Sequence, residues 1–151
     1  GAGLAVALAV ERPRMRIVAV DLSASALALA RRNAARHGVA DRIEFHEADL
    51  VPPASGRFDL IVANLPYVPD NAVLPADVRD WEPPLALRGG KDGLEVIERS
   101  VDCADDLLRE RGVVLYEIGE DQPALLAARY PGRFTFRKDL AGRDRFAVGR
   151  R

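Results

Sequence analysis

Three short, mostly apolar runs, separated by helix-like segments, place the strongest limit on how this chain can fold. The runs are RIVAV (16–20), FDLIVAN (58–64) and VVLYEI (113–118). Strands of this kind are buried on both faces, and their alternation with helices is typical of a parallel sheet covered by helices. The sequence therefore predicts an α/β fold with a doubly wound, mostly parallel sheet.

The remaining elements follow from helix and strand signals along the chain. A helix over 23–38 is expected to begin at the cap residue Ser23 and to end at Gly38. We further expect a strand over 42–49, a helix over about 93–110 that ends before Gly112, and a helix near 121–130. Two short strands, 134–138 and 145–150, lie close enough in sequence to form an antiparallel hairpin at the carboxyl end.

Composition restricts the class of protein. With 151 residues and a net charge of −1, the chain is expected to be a single domain over 1–151 without the overall basic charge of a nonspecific nucleic-acid or membrane-surface protein. It has no apolar run of the roughly 20 residues that a membrane span needs. The single Cys103 cannot form an internal disulfide, which favours a cytoplasmic setting. His37 and His46 lie apart without cysteines at ligand spacing, so no metal site is predicted.

Polar side chains follow three of the predicted strands. In parallel α/β sheets, ligands bind beyond the carboxyl ends of the strands, which is where Asp21, Asp49 and Asn64 are placed. The Asp21 carboxylate can accept hydrogen bonds from both ribose hydroxyls of an adenine nucleoside, or it can simply favour the start of the next helix. Asp49 can accept from an adenine amino group, or it can be an ordinary turn residue.

The segment ANLPY (63–67) suggests chemistry on an amide or aromatic amino nitrogen. Such a nitrogen is a poor nucleophile, so an enzyme that alkylates it must orient the nitrogen by accepting its hydrogens. The side-chain oxygen of Asn64 and the backbone carbonyl of Leu65 are the two candidate acceptors, because a residue before proline adopts an extended conformation. Pro66 stiffens the segment, and Tyr67 offers a flat face to a planar group. A strand followed by a proline-rich turn is the alternative without function.

Six segments in order carry a family resemblance: AVDLSASALALARRNA, EADL, FDLIVANLPY, DVRDWEPPLAL, GGKDGL and KDLAGRDRFAV. Together they resemble the class I, S-adenosylmethionine-dependent protein glutamine methyltransferases of the HemK/PrmC family over essentially the whole chain. The resemblance implies a Rossmann-like fold, S-adenosylmethionine as cofactor, and methylation of the glutamine amide nitrogen in the Gly-Gly-Gln motif of class 1 peptide chain release factors. It also implies a monomer that does not take nucleic acid as substrate.

The resemblance also assigns roles to individual residues. It implies that Asn64, Leu65, Pro66 and Tyr67 hold the glutamine side chain, and that Glu82 and Pro83 shape its pocket above a later strand ending at 117–119. The residues that it assigns to the cofactor are Gly1, Gly3, Asp21, Leu22, Asp49, Leu50 and Asn64.

Two departures from the family pattern keep alternatives open. Leu65 replaces the first proline of the family motif N-P-P-Y, and N-L-P-Y also resembles the motif of ribosomal RNA adenine dimethyltransferases. RNA or DNA amino-group methylation is therefore the alternative activity. The chain begins with GAG, inside or just past the family's glycine-rich loop, so we expect the first strand and the amino-terminal helical recognition domain to be missing. In that case strands 16–20 and 58–64 would have unpaired edges or would have to close on each other, and a noncatalytic remnant is a third possibility.

Overall fold

The fold is described from a computed structural model that covers residues 2–52, 56–73 and 84–151. The chain forms two compact units, Gly1–Ser55 and Gly56–Arg151. Among the described residues, no helix is both long enough and apolar enough to cross a membrane.

The first unit is a small parallel α/β layer. Its strands β1 and β2 pair in parallel, with Ile17 opposite Ile43 and Asp21 opposite Glu47. Its core is built from alanine, valine, leucine and isoleucine side chains of both helices and both strands. The elements in chain order are α1 (Ala2–Glu11), β1 (Ile17–Asp21), α2 (Ala24–Arg36), a 3-10 turn (Ala40–Arg42) and β2 (Ile43–Glu47).

Local signals determine the ends of α2 as the sequence predicts. The Ser23 hydroxyl accepts a hydrogen bond from the Ala26 N–H at 3.1 Å, and Gly38 has a left-handed φ of 65° just beyond the helix. The predicted strand 42–49 is shorter, since β2 ends at Glu47. Helix α1 was not predicted; its buried residues Ala2, Ala5, Val6 and Ala9 nevertheless follow helical spacing.

The second unit contains a four-stranded mixed sheet in the order β3-β4-β6-β5. Strands β3 and β4 are parallel, and the last two strands form the predicted antiparallel hairpin. Helices α4 and α5 contribute to a core with strand β4. The elements are β3 (Phe58–Asn64), α3 (Pro84–Leu87), α4 (Glu95–Leu107), β4 (Leu108–Glu117), α5 (Gln122–Arg129), β5 (Phe134–Lys138) and β6 (Asp144–Arg150).

The predicted end of α4 near residue 110 is wrong, because the helix stops at Leu107. Leu108 already pairs with Phe58, whereas the next pair is Leu60 with Val113, so the register shifts across residues 109–112 of β4. Arg111 lies in this stretch with a left-handed φ of 64°. The β-pairing of Leu108 takes precedence over the helical pattern of the residues that follow it.

Among the strands of the described residues, β1 and β3 each have a single neighbour. Within the part of the chain that the structure describes, β1 pairs only with β2, and β3 pairs only with β4. The strands therefore lie in two sheets, one parallel and one mixed. This agrees with the unpaired edges expected for strands 16–20 and 58–64.

Candidate functional site

At the carboxyl end of β1, the Asp21 carboxylate is held by two backbone N–H groups. Its Oδ1 accepts from Ser23 at 3.0 Å, and its Oδ2 accepts from Ala2 at 3.1 Å. Ala2 is the first residue of α1, and Gly3 lies in the same helical turn. The predicted cofactor residues Asp21 and Gly3 are thus near each other, and Leu22 beside them is 61% exposed.

Asp49 and Leu50 follow the end of the neighbouring strand β2. The Ala48 N–H donates to the Asp21 carbonyl oxygen at 3.2 Å, which fixes the start of this turn beside β1. Asp49 is exposed, and Leu50 has a left-handed φ of 63°, a strained conformation for leucine. We call Asp21, Leu22, Asp49 and Leu50 the acidic edge of the first unit.

The acidic edge has the hydrogen-bonding capacity that a ribose requires. An ionised carboxylate offers about four lone-pair positions, two on each oxygen. Each oxygen of Asp21 uses one position on a backbone N–H. Counting the bonds of the described residues, each oxygen has one position left for a hydroxyl, and the two bonds to the backbone fix the direction in which the carboxylate points.

In the second unit, the segment Asn64–Tyr67, which we call the amide turn, leaves the carboxyl end of β3. Asn64 is the last residue of β3, is exposed, and lies opposite Glu117 on the parallel strand β4. Leu65 and Tyr67 are half-buried and pack against the core of this unit. The amide turn therefore presents a polar side chain on a well-anchored backbone.

The Tyr67 hydroxyl interacts with an acidic residue, Glu117, and with a basic residue, Arg145. The hydroxyl donates a long hydrogen bond to Glu117 Oε1 at 3.4 Å. Partial burial is the main cause that raises the pKa of Tyr67 above 10.0; the negative charge of Glu117 raises the pKa further, and Arg145 opposes both. The Tyr67 hydroxyl is consequently kept in its neutral, hydrogen-bond-donating form.

A glycine-rich segment packs directly against the backbone of the amide turn. The Val68 N–H donates to Leu87 O at 2.9 Å, and the Gly89 N–H donates back to Val68 O at 2.9 Å. A Cβ at Gly89 would lie 2.5 Å from Pro66 O, and a Cβ at Gly93 would lie 2.1 Å from Tyr67 O. Only glycine permits this approach, and Gly93 also has a left-handed φ of 77°.

Sequence reasoning missed one residue at this site, Gln122. It is the first residue of α5, and its side-chain amide bonds to Tyr67 O and Gly93 O, each at 3.0 Å. A glutamine before a proline carries no local signal for such contacts. Only the tertiary structure brings residues 55 and 29 positions apart together.

The late segment DLAGRDR forms the turn between β5 and β6. Asp139 Oδ1 accepts from the N–H groups of Ala141 at 2.8 Å and Arg143 at 3.0 Å. The Arg143 N–H is the main cause that lowers the pKa of Asp139 below 3.8. The turn leads directly into Arg145, whose carbonyl oxygen accepts from the Ile118 N–H at 3.0 Å. The segment therefore has a structural role: it forms this turn and places Arg145 beside Ile118.

Three residues to which the family resemblance assigns a role lie outside the described residues: Gly1, Glu82 and Pro83. Across residues 2–52, 56–73 and 84–151, no group of three or more histidine, cysteine or acidic side chains could hold a metal ion. The structure thus groups Gly3 with the acidic edge and 64–67 with Glu117, each within its own unit.

Comparison with known sequences identifies related proteins. The sequence family described as "Methyltransferase domain" matches residues 1–79. A curated relative, the release factor glutamine methyltransferase of Moorella thermoacetica, is 42% identical over 150 residues, which cover 94% of this chain and 53% of the relative. The corresponding protein of Cereibacter sphaeroides is 41% identical, with 97% of this chain and 55% of the relative covered. The chain thus spans about half the length of these curated relatives.

Comparison with solved structures supports the fold. The catalytic domain of hMettl16, solved in complex with MAT2A 3'UTR hairpin 1, gives a TM-score of 0.71 at 16% identity, covering 98% of this chain and 60% of that chain. TrmN from Thermus thermophilus gives a TM-score of 0.66 at 23% identity, covering 98% of this chain and 40% of that chain. At this level of identity, the two structures establish a shared α/β methyltransferase fold.

Proposed function

This chain belongs to the methyltransferase domain family, and on that basis we propose that it uses S-adenosylmethionine to methylate the side-chain amide nitrogen of a glutamine in a peptide chain release factor. The Gly-Gly-Gln motif of class 1 release factors is the expected target. Support comes from relatives named release factor glutamine methyltransferase, which are about 40% identical over nearly the whole chain.

The observation that carries this proposal is the build of the amide turn. Asn64 is exposed at the end of β3, while Tyr67 behind it is held through its hydroxyl by Glu117 and through its carbonyl by Gln122. A primary amide has two hydrogens on a planar nitrogen. The oxygen of Asn64 and the carbonyl of Leu65 are suited to accept them, with the Tyr67 ring against the plane of the amide.

S-adenosylmethionine, when bound, supplies a methyl group on a positively charged sulfur that keeps the electron pair of the broken carbon–sulfur bond. The protein's task is to hold the glutamine nitrogen in line with that methyl group. Accepting both amide hydrogens increases the electron density on the nitrogen and fixes its direction. The new nitrogen–carbon bond uses the nitrogen lone pair, and one hydrogen leaves as a proton to water. Positioning of this kind lowers the barrier without a strong base.

We assign the cofactor to the acidic edge together with Gly3. Asp21 retains one acceptor position on each carboxylate oxygen for the two ribose hydroxyls, and Asp49 with Leu50 is assigned to the adenine. The left-handed backbone at Leu50 is consistent with a functional turn, because such strain persists where the surrounding structure enforces it.

The direct test is transfer of a radiolabelled methyl group from S-adenosylmethionine by this chain. The acceptors are a class 1 release factor, the same factor with its Gly-Gly-Gln glutamine replaced by alanine, and ribosomal RNA. We expect label in the unmodified factor alone. Label that appears only in RNA would contradict the proposal and establish the alternative, amino-group methylation of nucleic acid.

A further inference from the structure

Gln122 is exceptional among the described residues because it is their one buried amide, and none of their charged side chains is buried; 4% of the surface of Gln122 is exposed. A buried amide is costly unless its hydrogen-bonding groups are satisfied. All three bonds it makes are to backbone groups. Its Oε1 accepts from the Gly119 N–H at 2.8 Å, and its Nε2 donates to Tyr67 O and Gly93 O, each at 3.0 Å.

The polarity of these partners fixes the orientation of the Gln122 amide. A backbone N–H can only donate and a backbone carbonyl can only accept, so turning the amide over would break all three bonds. The side chain therefore connects three segments: the amide turn, the glycine-rich segment at Gly93 and the loop at Gly119 after β4. Pro123, the next residue, restricts the backbone at the start of α5.

The glycine at position 93 makes this connection a tight one. A Cβ there would lie 2.8 Å from Gln122 Nε2 and 2.1 Å from Tyr67 O. The carbonyl groups of Tyr67 and Gly93, which both accept from the Gln122 side-chain amide, are thus held close together by the packing of their backbones. Without a donor between them, the oxygens of Tyr67 and Gly93 would be buried acceptors facing each other, and the segments would move apart.

We propose that Gln122 is the positioning residue of the amide turn. It binds neither substrate nor cofactor. It fixes the Tyr67 carbonyl, and through the rigid Pro66 it sets the direction of the Leu65 carbonyl, an acceptor for the substrate amide. This role rests on the proposed function, because it assigns Gln122 to the same site.

Two variants remove the donated bonds in different ways. Gln122→Met keeps the chain length and loses every hydrogen bond. Gln122→Glu keeps the bond from Gly119 but places a carboxylate oxygen against two carbonyl oxygens. Asp121→Asn is the matched control, since Asp121 is exposed at the neighbouring position and its side chain does not cap α5.

The first readout is amide hydrogen exchange, which does not depend on activity. Exchange should become at least about tenfold faster at Val68 and Gly89, whose bonds flank the amide turn. Exchange at Asp139 and Tyr130, whose N–H groups donate to Arg143 O and Leu126 O, should stay within about twofold. Acceleration at all four amides, or at none, would overturn the positioning role in favour of a purely structural one or no role.

The second readout separates kcat from KM in methyl transfer to the release factor. Misplacing an acceptor should lower kcat about tenfold to a hundredfold in both variants, with KM for S-adenosylmethionine within about twofold. Equal kcat in wild type and variants would overturn the proposal. A third outcome separates the two proposals. If exchange accelerates only at Val68 and Gly89 in the variants, but the wild-type chain methylates no release factor, the proposed function is contradicted and the positioning of the amide turn by Gln122 is established.

Discussion

The acidic edge of the first unit and the amide turn of the second differ in how their polar groups are used. At the acidic edge, each carboxylate oxygen of Asp21 accepts one hydrogen bond from a backbone N–H of the described residues and has a second lone-pair position for a ligand. At the amide turn, the carbonyl of Tyr67 accepts from Gln122, and the backbone of the next residue, Val68, is bonded to Leu87 and Gly89. The side chain of Asn64, at the start of this turn, is exposed.

Under the proposed function, this difference corresponds to two chemical tasks. Binding of a ribose requires a carboxylate with lone-pair positions that no protein group occupies. Small movements of the surrounding turn do not prevent this binding. An amide nitrogen that must attack a methyl group needs acceptors in fixed positions, and an error of about 1 Å can cost about a hundredfold in rate. Tight backbone packing around Gly89 and Gly93 is one way to obtain such rigidity.

The largest expected effect is on catalysis at the amide turn. Asn64→Ala removes one of the two acceptors for the substrate amide, and we expect kcat for release factor methylation to fall about 10²-fold to 10³-fold. Steady-state assays with labelled S-adenosylmethionine measure this loss. Asn71→Ala changes an exposed asparagine in the same loop and should retain wild-type kcat. Equal losses in both variants would mean that Asn64 has no specific role.

A smaller effect is expected on stability when the glycine contacts are filled. Gly93→Ala adds a Cβ 2.1 Å from Tyr67 O at a left-handed φ, which should lower the free energy of unfolding by about 3 kcal/mol. Gly132→Ala is the control, because its φ of 73° is similar but nothing lies within 4 Å of the added Cβ. We expect about 1 kcal/mol there. Urea denaturation measures both, and similar losses would show that the packing against Tyr67 is looser than described.

The smallest effect concerns the titration of Tyr67. Glu117→Gln removes the negative charge beside the hydroxyl, so the pKa of Tyr67 should fall from its raised value. The raised pKa stabilises the folded chain below pH 10.0, and this contribution disappears as the pH rises through the folded-state pKa. NMR of ¹³C-labelled tyrosine follows each of the three tyrosines separately.

Tyr116 provides the internal control for that titration. Burial raises its pKa to about 12, and its hydroxyl pairs with Ser100 at 3.0 Å, away from Glu117. Glu117→Gln should leave this value unchanged. A shift at Tyr116 with none at Tyr67 would contradict the hydrogen bond between Tyr67 and Glu117.

Features with local causes were predictable from the sequence. Ser23 and Gly38 determine the ends of α2 through their own backbone and side-chain chemistry. Asp21 and Asp49 share one edge because parallel strands bring their carboxyl ends together, which the alternation of strands and helices implied. The exposed Asn64 at the end of β3 follows from the same rule.

Features with nonlocal causes were not predictable. Helix α1 is apolar on most of its surface, so its sequence lacks the polar face that would separate a helix from a buried strand. The end of α4 depends on the pairing of Leu108 with Phe58, 50 positions earlier. Gln122 acquires its role only through partners on two distant segments.

The measurement that tests the central claim most directly is calorimetric titration of the chain with S-adenosylmethionine, because both parts of the proposal require the cofactor to bind. We expect about micromolar affinity in the wild type, and a loss of about tenfold to a hundredfold in Asp21→Ala, which lacks both ribose acceptors. Asp41→Ala, an exposed acid in the same unit, should bind as wild type does. No binding by a folded wild-type chain, or equal affinity in Asp21→Ala, would contradict the account.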